Sequence, residues 1–254
     1  MADPVIGRPI VVSALGTTQT LAWASSYYLP AILADDIAAG TGTSRPWVFG
    51  IFSGSLLLSA ALSPWVGRMI DRRGGHGVLV ASNVVFAAGL AALAVSTGIV
   101  TLAAAWCLLG IGMALGLYDA AFATLTGIFG REARSPITGI TLFAGFASTI
   151  GWPLSALLDA EIGWRGTCAV WAGLHVVVGL PLNLLLIPRT HAITQHEPTA
   201  GTWEPRREMV LLAYVFAASW FVTGAMAAHL PALIESLGAT ASEAIAAAAL
   251  VGPA

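Results

Sequence analysis

The chain contains no lysine, and charged residues of every kind make up only 9% of its sequence. A soluble domain carries about 25% charged residues, because its surface must face water. Most of the surface of this chain must therefore face lipid. The absence of lysine also excludes a retinal pigment, since the retinal Schiff base requires a lysine amine.

Cysteine is scarce, and no metal-binding or nucleotide-binding pattern is present. The two cysteines, Cys107 and Cys168, lie in apolar segments, and their spacing fits no zinc site. We expect both to be small buried hydrophobic residues. The glycines at 110, 112 and 116 do not match a nucleotide-binding loop, and a net charge of −2 gives no nucleic-acid-binding surface. The sequence predicts no metal, no cofactor, no nucleic-acid partner and no enzymatic activity.

Long apolar runs account for most of the chain, which is 57% hydrophobic with a mean hydropathy of +0.83. A helix needs about 20 residues to cross the hydrocarbon core of a bilayer. The alternating pattern that marks the strands of an outer-membrane barrel is absent, so we predict an all-α integral membrane protein. The stretches long enough to span are residues 10–34, 47–69, 78–96, 101–129, 136–158, 167–187 and 209–234.

A polar segment divides these spans into two groups. Residues 188–208 contain three arginines and two histidines, which predicts a cytoplasmic linker. The linker follows a six-helix N-terminal bundle (1–187) and precedes a partial second bundle (209–254). The apolar run 244–254 is too short to span a bilayer. We therefore expect the chain to be a fragment that stops within its eighth helix.

The arginines alternate in density between the ends of successive spans. Loop arginines are retained on the cytoplasmic face. Nine arginines fall on the side of the N-terminus and two on the other side, which predicts a cytoplasmic N-terminus. Abundant alanine without lysine is typical of a GC-rich bacterial source, which predicts a multi-pass protein of the cell inner membrane. The predicted cytoplasmic side receives Arg8, Arg68, Arg72, Arg73, Arg131, Arg134, Arg189, Arg206 and Arg207, and the other side receives Arg45 and Arg165.

The loop between the second and third spans reads Gly67-Arg68-Met69-Ile70-Asp71-Arg72-Arg73-Gly74-Gly75-His76. Glycine permits a tight turn between two helices, and Asp71 can accept hydrogen bonds from a helix N-terminus or an arginine. The stretch resembles the cytoplasmic loop signature of the major facilitator superfamily (MFS), as do six spans followed by a linker. The resemblance implies an MFS fold and a loop motif at Gly67, Asp71, Arg72, Arg73 and Gly74. Gly75 and His76 stand where the family usually has basic residues, which departs from a full charge relay.

The fifth span is rich in small residues. Its Gly145, Gly151 and Pro153 distantly resemble the glycine-rich fifth-helix motif of the family's antiporters, although Trp152 separates glycine from proline. Small residues let helix backbones approach closely, and proline can bend a helix. We interpret these three residues as positions of helix packing.

Asp119 is the acid that lies well inside a predicted span. It precedes Arg131 by twelve positions, which places it about 18 Å from the cytoplasmic end of the fourth span. A carboxylate at that depth costs several kcal/mol unless it faces a wet cavity, meets a cation or takes up a proton. We therefore predict that Asp119 binds a proton or a cationic substrate. A structural carboxylate, bonded to a neighbouring helix or to an arginine of the 67–76 loop, is the alternative.

Polar and aromatic residues share one face of the first span. Gln19, Trp23, Ser26 and Tyr27 fall within about 80° on a helix, whereas Tyr28 points the opposite way. The resemblance implies that the first, fourth and seventh helices line a central cavity. It then places a proton-coupling and substrate site at Asp119, Tyr118, Gln19, Trp23, Ser26, Tyr27, Trp220, Thr223 and His229. Interhelical hydrogen bonding would explain the same polar residues without a substrate. Polar residues of the third and sixth spans are expected to serve packing: Asn83, His175 and Asn183.

The resemblance implies a secondary active transporter that moves a small solute by alternating access of two bundles, coupled to protons. Its expected partners are a small-molecule substrate, protons and membrane lipid, and it is expected to be a monomer once full length. A non-retinal seven-span receptor or sensor is the alternative, but it would not predict the 67–76 signature. An intramembrane hydrolase is disfavoured because no Ser–His pair stands out in matching spans.

Overall fold

The computed structural model describes residues 7–189 and 207–250, and every regular element in these ranges is helical. The all-α class is therefore confirmed for this part of the chain. The α-helices are α1 (Arg8–Ser25), α2 (Leu29–Thr41), α3 (Arg45–Arg73), α4 (His76–Ala94), α5 (Ile99–Gly116), α6 (Tyr118–Phe129), α7 (Arg134–Gly145), α8 (Ala147–Leu174), α9 (Leu180–Leu186), α10 (Arg207–Ser236) and α11 (Ala241–Ala249). A 3₁₀ turn (Gly130–Glu132) follows α6, and a π-helical turn (His175–Gly179) separates α8 from α9.

Two of the predicted spans are each divided into two helices. The first span is interrupted at residues 26–28, between α1 and α2. Pro30 is the second residue of α2. The fourth span is interrupted at Leu117, whose extended backbone (φ −83°, ψ −168°) separates α5 from α6. At each break, backbone N–H and C=O groups lose the helical hydrogen bonds that they would make four residues away. These groups need other partners.

The predicted fifth and sixth spans form an antiparallel pair within one long helical segment. Gly163, inside α8, has φ +70° and ψ 169°, a conformation that glycine adopts without a steric penalty. The indole N–H of Trp171 donates to the Ser155 hydroxyl at 3.1 Å. Residues sixteen positions apart cannot meet in a straight helix, which would separate them by about 24 Å. The chain therefore reverses direction at Gly163.

Within the described residues, five helical stretches are long and apolar enough to cross a membrane: Arg45–Arg73, His76–Ala94, Ile99–Glu132, Arg134–Leu186 and Arg207–Ser236. The count is lower than the seven predicted spans for two structural reasons. The first span is split into the shorter α1 and α2, and the fifth and sixth are joined through Gly163. These stretches support a polytopic membrane protein.

Glycines in α5 allow the neighbouring helices α3 and α4 to approach its backbone closely. A Cβ atom on Gly110 would lie 2.7 Å from the carbonyl oxygen of Ser55 in α3. On Gly116 it would lie 2.6 Å from the Ser82 hydroxyl in α4. Both distances are too short for a side chain, so close helix packing accounts for these glycines, as it does in other membrane helices.

The predicted alternation of loops between two ends is consistent with contacts made at each end. At one end, Arg8 forms an ion pair with Glu132, and the ring Nδ1 of His76 lies 2.7 Å from the carbonyl oxygen of Ile187. At the other end, Arg165 donates to the carbonyl oxygens of Ala94 (2.8 Å), Ser96 (2.7 Å) and Gly40 (3.2 Å). These contacts tie together the loops that the arginine pattern assigns to each side.

Replacing Arg165 with leucine is expected to lower stability by about 2 kcal/mol, because a cation that bonds the free carbonyls at the ends of α2 and α4 would be lost. The melting temperature of the detergent-solubilised protein should fall by about 6 °C. The matched control is Arg45→Leu, which removes an exposed ion pair with Asp35 at 3.1 Å. Exposed pairs contribute about 0–1 kcal/mol. Equal shifts for the two variants would contradict the capping role of Arg165.

The segment after the predicted linker contains α10 and α11, while most of 188–208 and the end of the 244–254 run lie outside the described residues. Thr240 and Glu243 cap α11: the backbone N–H of Thr240 donates to the Glu243 carboxylate, and the N–H of Glu243 donates to the Thr240 hydroxyl. These bonds hold the pKa of Glu243 below its usual value. The cap explains why a helix begins at Ala241.

Candidate functional site

Three aromatic side chains surround Trp23 of α1. The Trp23 ring lies 5.0 Å from the ring of Tyr27, 4.9 Å from Tyr118 and 6.3 Å from Trp220, which is nearly parallel to it at 16°. Trp23 and Tyr118 belong to α1 and α6, and Trp220 to α10. The structure thus brings together four of the residues predicted to line a cavity between the first, fourth and seventh spans.

The break between α1 and α2 brings one more aromatic residue to this cluster. The backbone N–H of Tyr28 donates to the carbonyl of Trp23 at 3.1 Å, and the indole N–H of Trp152 donates to the carbonyl of Tyr28 at 3.2 Å. The Tyr28 ring then lies 6.3 Å from that of Trp23. The expectation that Tyr28 points away was wrong, because it assumed a continuous helix with 100° per residue.

Ser26 takes part in the break and not in the aromatic cluster. It is fully buried, and its hydroxyl donates to the carbonyl oxygen of Ala22 at 2.6 Å. Back-bonding of this kind competes with the helical hydrogen bonds and favours a helix end. The structure therefore gives Ser26 a local partner, while its predicted contact with a substrate stays a prediction.

Gln19 joins the break in the fourth span to α1. Its side-chain N–H donates to the carbonyl oxygen of Gly116, the last residue of α5, at 2.6 Å. The other amide atom, Oε1, is buried and has no hydrogen-bond partner among the described residues, and the same is true of the indole nitrogen of Trp23 one turn later. A buried unpaired polar group costs about 1–3 kcal/mol. These two atoms lie on one face of α1, and the indole nitrogen of Trp106 in α5 is a third buried atom without a partner among the described residues.

Asp119 stands in the first turn of α6, directly after the break. Its side chain is exposed, and its Oδ2 atom is 3.4 Å from the hydroxyl of Ser63 in α3. The free N–H groups at a helix N-terminus stabilise negative charge. Neither ion pair in the described part of the chain involves Asp119. The carboxylate therefore contacts α3, while its sequence neighbour Tyr118 belongs to the aromatic cluster.

A cavity of about 360 Å³ adjoins the aromatic cluster. It lies between α3 and α10 and is lined by Tyr27, Phe52, Trp220 and His229, among others. The ring of His229 is 4.7 Å from that of Phe49. Thr223 is exposed and does not line this cavity. Of the three predicted residues of α10, the structure brings Trp220 and His229 to the cavity.

A buried hydrogen-bonded chain holds the end of α1 from behind. The hydroxyl of Ser25 lies 2.8 Å from Nε2 of His175, and Nδ1 of His175 lies 3.0 Å from Oδ1 of Asn83. The amide N–H of Asn83 donates to the carbonyl of Leu79, which leaves Oδ1 as an acceptor. His175 must then carry its proton on Nδ1 and accept the Ser25 proton at Nε2.

The structure contains a Ser–His pair that does not stand out in the sequence, because no local spacing connects residues 150 positions apart. Ser25 and His175 are both fully buried, and Asn83 is 3% exposed. No substrate can reach the hydroxyl, so the pair offers no hydrolase site. The same burial supports the prediction that Asn83 and His175 serve packing.

The 67–76 loop is anchored by its second and third glycines. Gly74 has φ +79°, and its N–H donates to the carbonyl of Ile70 at 2.8 Å, which ends α3. A Cβ atom on Gly75 would overlap the Thr124 hydroxyl of α6. Gly67 has open space around it, so helix packing does not require glycine there. The polar residues of the motif are exposed: Asp71, Arg72 and Arg73.

The fifth span breaks earlier than its proline suggests. Gly145 is the last residue of α7, and the helical axis is interrupted at Phe146, whereas Pro153 is exposed inside α8. A Cβ atom on Gly151 would lie 2.8 Å from the Cβ of Ala24 in α1. Close packing against α1 therefore accounts for Gly151.

A sequence model of the Major Facilitator Superfamily matches residues 13–254. The chain belongs to the major facilitator superfamily. Membership supports a multi-pass membrane transporter for small-molecule substrates and favours transport over a receptor. The MFS loop signature and the cluster at α1, α6 and α10 both lie within the matched range. No group of three or more candidate metal ligands occurs in residues 7–189 and 207–250.

Proposed function

We propose that this protein is a secondary active transporter of the inner membrane, with its N-terminus in the cytoplasm. It moves a small solute by alternating access between two helical bundles joined by the 188–208 linker. The observation that supports this most directly is the pair of unpaired buried atoms, Gln19 Oε1 and Trp23 Nε1, beside a cluster of aromatic rings. Both atoms are closed off in this conformation, and each would gain a hydrogen bond from a solute when the two bundles move apart.

The chemistry of the cluster favours a neutral or cationic solute over an anion. Aromatic faces attract cations, and all the arginines of the described chain lie at helix ends or in loops. Asp119, next to Tyr118, is the acid proposed to bind a proton or to pair with a cationic solute. Thr223, Ser26 and His229 would complete the polar lining at other stages of the cycle.

The transport site is tested by truncating Trp23 in the full-length protein. A growth screen against carbon sources and toxic compounds first identifies a transported solute, and uptake is then measured in proteoliposomes. Trp23→Ala removes an aromatic wall and should raise KM by about tenfold. Trp23→Phe keeps an aromatic ring but loses the indole N–H. Its KM should therefore lie between that of the native protein and that of Trp23→Ala.

The matched control is Trp47→Ala, which truncates an exposed tryptophan at the start of α3, far in sequence from the cluster. Its KM should stay within about twofold of the native value. An unchanged KM for Trp23→Ala, with normal expression and monodispersity, would remove Trp23 from the substrate site.

A further inference from the structure

A second cavity of the described structure lies away from the aromatic cluster. It has a volume of about 430 Å³ and runs between α3 and α5. Its walls are mostly apolar side chains, and its lining residues are Leu62, Trp65, Val66, Arg68, Met69, Arg72, Arg73, Ile111, Ala114 and Leu115. A volume above about 300 Å³ is typical of a ligand site.

Positive charge is concentrated at one end of this groove. Arg68, Arg72 and Arg73 are exposed side chains of the last turns of α3, and no carboxylate lines the groove. The two ion pairs within residues 7–189 and 207–250 are Arg8–Glu132 and Arg45–Asp35, so neither neutralises the groove. Guanidinium groups bind phosphate through paired hydrogen bonds. The groove therefore offers an anion site at one end and apolar walls along the rest.

The length of the groove matches one leaflet of a bilayer. Leu62 and Arg73 are eleven positions apart on α3, which corresponds to about 16 Å. Half the thickness of the hydrocarbon core is about 15 Å. Trp65, 71% exposed, lies between the arginines and Leu62. Tryptophan is enriched where lipid headgroups meet hydrocarbon.

The floor of the groove is packed and its sides are open. Val66 and Ala114 are 6% and 3% exposed, while Leu62, Ile111 and Leu115 are half-buried. An acyl chain that lies along this surface would cover apolar side chains without displacing any helix. A soluble phosphate compound would occupy the arginine end alone and leave the apolar walls uncovered.

We propose that this groove binds an anionic phospholipid of the leaflet on the arginine-rich side. The lipid phosphate is bound by Arg68, Arg72 and Arg73, and one acyl chain lies along Leu62, Ile111 and Leu115. Basic pockets between membrane helices bind anionic headgroups in this way. The site is separate from the proposed substrate site, and it does not depend on the transported solute.

Lipid retention by the purified full-length protein tests the proposal. Native mass spectrometry compares phosphatidylglycerol with phosphatidylcholine of the same acyl chains, and we expect about tenfold greater retention of phosphatidylglycerol. Glycerol 3-phosphate at equal concentration should not displace the lipid. Equal retention of the two lipids would overturn the proposal, as would displacement by glycerol 3-phosphate. Equal retention is also the result expected if another helix of the protein fills the groove.

Two variants locate the site. Arg68→Gln/Arg72→Gln/Arg73→Gln removes the anion site, and Ile111→Trp fills the apolar part while every arginine remains. Each should reduce retention of phosphatidylglycerol about fivefold or more. The control Arg131→Gln/Arg134→Gln removes arginines from the same predicted side that do not line the groove, so it should retain the lipid. A loss for the control equal to that of the triple variant, with no loss for Ile111→Trp, would show general charge attraction and overturn the proposal.

Discussion

Replacing Asp119 with asparagine is expected to reduce pH-gradient-driven transport about tenfold or more, while exchange of solute without a gradient persists. Asparagine fills the same space and can still accept the hydrogen bond from Ser63, which is 3.4 Å from the carboxylate. It cannot bind and release a proton. The loss would therefore concern coupling and not the fold. Uptake in proteoliposomes and the internal pH, followed with a trapped dye, are measured together.

The matched control for Asp119 is Asp35→Asn, at the end of the structure that carries Arg45 and Arg165. Asp35 is exposed and paired with Arg45 at 3.1 Å, away from the aromatic cluster. Its flux should stay within about twofold of the native value. If Asp119→Asn keeps both the gradient-driven flux and the proton movement, the coupling role is wrong and the carboxylate is structural.

Replacing His175 with leucine is expected to destabilise the protein by about 3 kcal/mol. The substitution keeps a buried apolar volume. It leaves the hydroxyl of Ser25 and the side-chain Oδ1 of Asn83 without the bonds of 2.8 and 3.0 Å that they make to the ring. The melting temperature of the full-length protein in detergent should fall by about 9 °C. KM should also rise, because Ser25 ends α1 two residues after Trp23.

A mutant cycle separates the hydrogen-bonded chain from simple packing. Adding Ser25→Ala and Asn83→Leu to His175→Leu removes the polar groups that were left unpaired, so the combined loss should be smaller than the sum of the single losses. His175→Gln, which has both a donor and an acceptor, should recover part of the stability. Strictly additive losses, with no recovery by glutamine, would show that His175 acts through its volume alone.

The candidate site was predicted best where one helical face was enough to define it. Gln19 and Trp23 share a face of α1 because they lie about one turn apart within the helix. Tyr27 lies in the break after α1, and its ring is still only 5.0 Å from that of Trp23. Tyr118 and Asp119 were found because a carboxylate inside an apolar span is costly. Tyr28 was misplaced because its direction depends on a break that no local spacing reveals.

The burial and the distant contacts of single residues were also beyond what local sequence could predict. The expectation that Cys107 is buried was wrong, as it is exposed, whereas Cys168 is buried as expected. Both stand in similar apolar runs, so composition does not distinguish them. The hydrogen bonds from Arg165 to the carbonyl oxygens of Ala94 and Gly40 were not predicted either, because these partners belong to other helices. Its position in a Gly-Trp-Arg turn after the fifth span was the available signal.

What the sequence determined by itself is the medium and the class of structure. Few charges, long apolar runs and clustered arginines require helices in lipid, because each backbone group in hydrocarbon must be satisfied within its own helix. Only the tertiary structure decided where those helices break. A break is stable when distant groups replace the lost bonds, as Gln19 does for Gly116 and Trp152 does for Tyr28. These partners are about 100 residues apart or more, so their meeting is a property of the packed bundle and not of any local pattern.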